Sequence, residues 1–173
     1  MSNRLPESIR PLDLVRAGAR MEGELGLRGM TRLAGRLAAD RGAVRVSLHF
    51  GRNGGNVRYI KGRVETVLEL TCQRCLEVMQ FPVDIGVSLG IIGAAAEAER
   101  LPAEYEPLLL GESEAVSLVE LVEDELLLAL PIVARHALEA CYAAGVVQEA
   151  GAAAPGQETH RPFAGLADLM KSR

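Results

Sequence analysis

Lys61-Gly62-Arg63-Val64-Glu65-Thr66-Val67-Leu68-Glu69-Leu70-Thr71-Cys72-Gln73-Arg74-Cys75, continued by Leu76-Glu77-Val78-Met79-Gln80-Phe81-Pro82-Val83, decides the fold of this chain. Gly62, Val64, Thr66, Leu68, Leu70 and Cys72 fall on one face of an extended strand. Lys61, Arg63, Glu65, Glu69 and Thr71 fall on the other, with Val67 the exception. Beyond the cysteines, Met79, Phe81, Val83, Ile85, Val87, Leu89 and Ile91 alternate with polar or small residues. Alternation this long predicts half-buried antiparallel strands. The tetrapeptide Cys72-Gln73-Arg74-Cys75 is therefore expected at the tip of a hairpin.

A two-residue hairpin turn favours Asn-Gly or a similar pair, because both central residues need positive φ. Gln73-Arg74 fits that poorly. Either the loop is wider, or something besides turn chemistry holds the tip. The cysteine pair reads three ways: two thiolate ligands of a metal, a redox pair, or two small, partly buried thiols. The redox reading lacks its usual activating element, a helix N-terminus. Residues 76–82 read as strand, and Pro82 is hard to place in a helix.

Outward from the hairpin, Val44, Val46, Leu48 and Phe50 point to one face of a preceding strand. Asn53-Gly54 marks the turn between that strand and the next. Residues 20–28 alternate weakly and predict a first strand, with Pro11-Leu12-Asp13-Leu14-Val15-Arg16 as a lead-in segment. Met30, Leu33, Ala34 and Leu37 share a helical face over 31–38. Residues 93–99 read as a loop or short helix, and 101–107 as an extended linker. Ser117-Leu118-Val119-Glu120 is a capping box opening a helix over 117–130, stopped by Pro131. The expected fold class is α+β: an antiparallel β-sheet of four or more strands, compatible with barrel-like closure, packed with one or two helices. The expected organisation is an α+β domain over 1–142, a flexible linker over 143–160 and a C-terminal docking motif over 161–173.

The net charge of −4 conceals an asymmetry. Residues 1–75 carry 14 basic and 7 acidic side chains, and residues 76–173 carry 5 and 16. The basic side chains of the first half are nearly all Arg, the residue suited to forked phosphate contacts. Arg32, Arg36, Arg58, Lys61, Arg63, Gln73 and Arg74 are the candidate RNA contacts, with Arg52 on the same rim. Glu123, Asp124 and Glu125 form a candidate docking surface for a basic partner. Phe163, Leu166 and Leu169 give the terminal segment apolar spacing suited to docking. With no Trp, three Tyr and three Phe, an aromatic stacking platform for single strands is not expected. No apolar run of about 18 residues is present to span a membrane, and the N-terminal residues lack a signal-peptide pattern. The expected location is cytoplasmic, with no membrane partner. No nucleophile–base constellation is visible among His49, His136 and His160, so no enzyme activity is expected.

The hairpin Leu70-Thr71-Cys72-Gln73-Arg74-Cys75-Leu76, the segment Leu101-Pro102-Ala103-Glu104-Tyr105-Glu106-Pro107, the helix Val122-Glu123-Asp124-Glu125-Leu126-Leu127-Leu128-Ala129-Leu130-Pro131 and the terminal Pro162-Phe163-Ala164-Gly165-Leu166-Ala167-Asp168-Leu169 occur in this order. Together they resemble the YceD family, over about Pro11 to Lys171. The resemblance implies a non-enzymatic role in accumulation of 23S ribosomal RNA and assembly of the large ribosomal subunit. Its implied partners are 23S RNA, pre-50S particles, or ribosomal and assembly proteins. Some members of that family carry a second cysteine pair after the acidic helix. Here that region offers His136 and Cys141, so the implied metal set is Cys72, Cys75, His136 and Cys141, a Cys₃His site for structural zinc. The chain also departs from the family at Ala134, where Pro is usual, and at Arg161, where Asn is usual.

Overall fold

In the computed structural model the described residues are 4–111 and 114–143. The chain divides into two units, residues 1–136 and 137–173. The first begins with β1 (Ser8–Ile9) and the helix α1 (Pro11–Ala17). It continues through β2 (Arg20–Gly26), the short helix α2 (Thr31–Ala34), β3 (Ala43–Arg52), β4 (Arg58–Thr71) and β5 (Val78–Ile92). A 3₁₀ turn over Ala95–Arg100 leads to β6 (Glu106–Leu109), β7 (Val116–Ser117) and the helix α3 (Leu118–Ala129). The linker over 143–160, apart from residue 143 itself, and the docking motif over 161–173 lie outside the described residues.

β2, β3, β4 and β5 are successive antiparallel neighbours, and β6 adds to β5 in parallel. The sheet is thus mixed and open, with β2 and β6 at its edges, and the barrel-like closure compatible with the sequence does not form. The long hairpin pairs Arg58 with Ile91 at one end and Thr71 with Val78 at the other. A second, two-stranded sheet joins Ser8 to Ser117 and Ile9 to Val116.

The period of the sequence sets the core. Val44, Val46, Leu48 and Phe50 of β3 and Ile60, Val64, Leu68 and Leu70 of β4 are buried. Val83, Val87, Leu89 and Ile91 of β5 join them. Leu12 and Val15 of α1, Met30, Leu33, and Leu118, Leu121, Val122 and Leu126 of α3 cover this face. Ser117 Oγ accepts from the Glu120 N–H at 3.2 Å, completing the expected cap of α3. Leu130, just before Pro131, is extended, as proline demands of its predecessor.

Two elements differ from expectation. The helix expected over 31–38 stops at Ala34: Gly35 is a poor helix former, and the Ala38 N–H leaves to bond the Glu69 carbonyl at 2.7 Å. The segment at 11–16 is helical, with Pro11 at its first position and Gly18 in the left-handed conformation at its end, the usual terminal signals. Gly62 faces Leu48 across the strands. A Cβ there would lie 2.0 Å from the Ser47 carbonyl oxygen, so this approach of β3 to β4 requires glycine.

In the second unit the described structure is the helix α4 (Leu138–Ala143), which carries Cys141.

Candidate functional site

The hairpin tip is wider than two residues. The Leu76 N–H bonds the Cys72 carbonyl, and the Cys72 N–H bonds the Glu77 carbonyl, both at 2.9 Å. Leu76 has φ of 61°, a conformation uncommon for a non-glycine residue. This winding turns both thiols inward, where Cys72 and Cys75 are buried, while Leu76 is 73% exposed.

The segment after α3 closes over the tip. The Gln73 N–H bonds the Ala134 carbonyl at 2.8 Å. The His136 N–H points at Cys72 Sγ at 3.5 Å, and His136 Nδ1 lies 3.3 Å from Cys75 Sγ. The donor atoms of Cys72, Cys75 and His136 lie within 4.8 Å of one another. Burial pushes the Cys72 thiol up, but the N–H groups of Cys75, His136 and Arg74 and the neighbouring Cys75 thiol outweigh it, holding it at about 5. It is therefore a thiolate at neutral pH, the form that binds metal.

The donor chemistry fits a tetrahedral ion. Zinc ligands at about 2.3 Å for sulfur and about 2.0 Å for nitrogen lie roughly 3.5 Å apart, close to the Cys75–His136 separation. Backbone N–H groups aimed at a ligating sulfur are the outer contacts that orient such ligands. A depressed thiol pKa also suits disulfide exchange, but a buried thiol lacks the access that exchange requires.

Several candidate RNA contacts are already paired within the fold. Arg32 Nη2 lies 2.9 Å from Glu123 Oε2, and Arg32 Nη1 lies 2.6 Å from Asp124 Oδ1. Arg63 makes a bidentate pair with Asp84. Lys61 Nζ lies 3.5 Å from Glu104 and 4.4 Å from the centre of the Tyr105 ring; Tyr105, first, and Glu104 raise its pKa. These pairs absorb part of the charge asymmetry between the halves of the chain. Arg36 and Gln73 line a cleft of about 780 Å³ with Leu37, Leu70 and residues 130–134. Arg74 Nη1 is enclosed without a hydrogen-bond partner. Arg58 lines a second cleft at the far end of the hairpin.

Of the acidic docking candidates, Glu123 is 2% exposed and faces inward. Asp124 is exposed and holds Arg32. Burial, followed by the carboxylates of Glu106 and Asp124, raises the pKa of Glu125. Phe163, Leu166 and Leu169 lie outside the described residues. One grouping escapes sequence reading. His49, Tyr59 and Tyr105 come together, with ring centres 5.7 Å apart for His49–Tyr59 and 6.2 Å for Tyr59–Tyr105. Strand register could have paired His49 near Tyr59, but nothing local points to Tyr105.

Among the described residues no helix is long and apolar enough to cross a membrane. Fold and site define a small α+β protein organised on a long β-hairpin with a thiol-bearing tip. The chain belongs to the family described as large ribosomal RNA subunit accumulation protein YceD, whose model matches residues 60–170. It is 30% identical over 174 residues to the large ribosomal RNA subunit accumulation protein YceD of Haemophilus influenzae (strain ATCC 51907 / DSM 11121 / KW20 / Rd), covering 97% of each chain. No solved structure matches it.

Proposed function

We propose that this chain is a non-enzymatic ribosome assembly factor that promotes 23S RNA accumulation in the cytoplasm by binding ribosomal RNA or pre-50S particles. The observation that carries this reading is similarity along nearly the whole chain to a protein named for accumulation of large-subunit ribosomal RNA. The family takes its name from that accumulation and not from a reaction. Cys72, Cys75 and His136 would hold a structural zinc ion, whose chemistry would be cross-linking of the hairpin tip to the chain that follows α3. Arg36, Arg58, Gln73 and Arg74, with whatever remains free of Lys61 and Arg63, supply contacts to RNA.

Depleting the protein tests the reading. Large subunits and 23S RNA should fall relative to 16S RNA on a sucrose gradient, and normal subunit ratios would overturn it. Elemental analysis tests the metal: protein purified without chelator should carry stoichiometric zinc.

A second reading, an adaptor that touches proteins rather than RNA, is favoured by one feature. Ile132, in the lining of the cleft formed with Arg36 and Leu37, is 104% exposed. Under that reading, deleting residues 161–173 abolishes partner capture, and a truncated chain that still co-purifies with pre-50S particles counts against it.

A further inference from the structure

Arg52 and Arg58 are directly opposed cross-strand neighbours at the mouth of the β3–β4 hairpin. Like charges in that position repel. No carboxylate lies within ion-pair distance of either among the described residues. Arg100, from the 3₁₀ turn after β5, brings a third guanidinium to the same cleft of about 540 Å³. Leu101 is a half-buried apolar side chain of that cleft's lining, beside Ile91 and Ile92, which are themselves buried. Its one carboxylate, Glu97, accepts from the Gly93 N–H at 3.2 Å.

The turn that presents two of these arginines is built rigidly. Asn53 Oδ1 accepts from the Gly55 and Val57 N–H groups, each at 3.0 Å. Asn53 Nδ2 donates to the Tyr105 hydroxyl at 3.2 Å, tying the turn to the chain before β6. Arg52 Nη1 donates to Asn56 Oδ1 at 2.9 Å, which steadies its guanidinium and leaves its other N–H groups available. The fold thus holds three positive groups from three elements around one cleft, and among the described residues no acidic side chain forms an ion pair with them.

We propose that this cleft binds the backbone of single-stranded RNA, with phosphates at Arg52, Arg58 and Arg100 and a base edge-on to Leu101. The proposal rests on the reading that the chain binds ribosomal RNA, and it says where. Forked guanidinium donors match phosphodiester oxygens. Guanidinium contacts to phosphate carry no base identity, so recognition is of strand and not of sequence.

The test is fluorescence anisotropy of full-length protein with labelled oligouridylate and with a 23S transcript, read from about 50 to about 200 mM salt. Arg58→Glu/Arg100→Glu is compared with wild type and with Arg16→Glu, whose guanidinium pairs with Asp13 on α1. Loss of two phosphate contacts should flatten the plot of log affinity against log salt by about 1.4, and Arg16→Glu should behave as wild type. Arg58→Gln/Arg100→Gln, with its melting temperature recorded, repeats the comparison without charge reversal. If wild type binds RNA and both double variants bind it equally, the cleft is not the site, although RNA binding stands. If wild type binds neither RNA, direct RNA binding falls, and this proposal with it. ATP at equal phosphate concentration should fail to displace the oligonucleotide; displacement would make this a mononucleotide site and overturn the assignment.

Discussion

The carboxylate of Glu123 reaches across the fold to Arg32, accepting from its backbone N–H at 2.7 Å and from its Nε at 3.0 Å. A third donor is the Leu33 N–H at 2.9 Å. One buried acid on α3 thereby satisfies the first turn of α2 and holds the half-exposed Arg32 guanidinium. Removing it leaves two N–H groups and the Arg32 Nε without their acceptor, while Asp124 keeps Nη1. Glu123→Ala should cost about 3 kcal/mol in chemical denaturation, and Glu123→Gln, which keeps one acceptor oxygen, should cost less.

The same group makes stability depend on acid. Burial pushes the Glu123 carboxyl up, but the Leu33 and Arg32 N–H groups and the Arg32 guanidinium outweigh it and hold its pKa below the ordinary 4.5. Its contribution is complete above that ordinary value and is lost as pH falls through the lower folded value. Wild type should therefore lose stability on acidification below about pH 4.5, and Glu123→Gln should lose less over the same window. Melting temperatures across that range check it.

Gly62→Ala should destabilise by about 2 kcal/mol or more, because the new Cβ meets backbone of β3 and not a movable side chain. Gly54, with open space around it, is the control: Gly54→Ala should stay within about 0.5 kcal/mol. Equal effects at the two positions would contradict the close strand approach.

Ser117→Ala removes the side-chain acceptor of α3 and should cost about 1 kcal/mol. Ser117→Asp should recover most of it, since a carboxylate also suits a helix start.

The proposed zinc site is tested at its ligands. Cys72→Ser and His136→Ala should each lower the metal content well below the wild-type value, measured by elemental analysis. Protonation of Cys72, whose thiol sits at about 5 without metal, should release the ion only as pH falls below that value. A chelator-sensitive reporter dye would record this release.

The strands were legible because their burial repeats every second residue over long stretches, and α3 because Ser117, Glu120 and Pro131 mark both ends. α1 carried its own signals, Pro11 and Gly18, in a segment too short for periodicity to speak. β6 was hidden: Pro107 reads against a strand, and its parallel partner β5 depends on a crossover no local pattern records. At the hairpin tip, residue types gave the thiols, while the approach of His136 to Cys75 spans 61 positions. The acidic run 123–125 resembles a solvated helix face. Only the packed structure separates inward Glu123 from outward Asp124, and shows that Arg32 answers both.

The pairing of Ser8 with Ser117 carries a consequence for synthesis. A nascent chain leaving the ribosome N-terminus first can form β2 to β5 early, with their apolar side bare. Its lid, Leu118 to Leu126, emerges only after more than one hundred residues of separation from β1. Closure is then a late, long-range event of high contact order, and until it occurs the unfinished sheet is a substrate for chaperones.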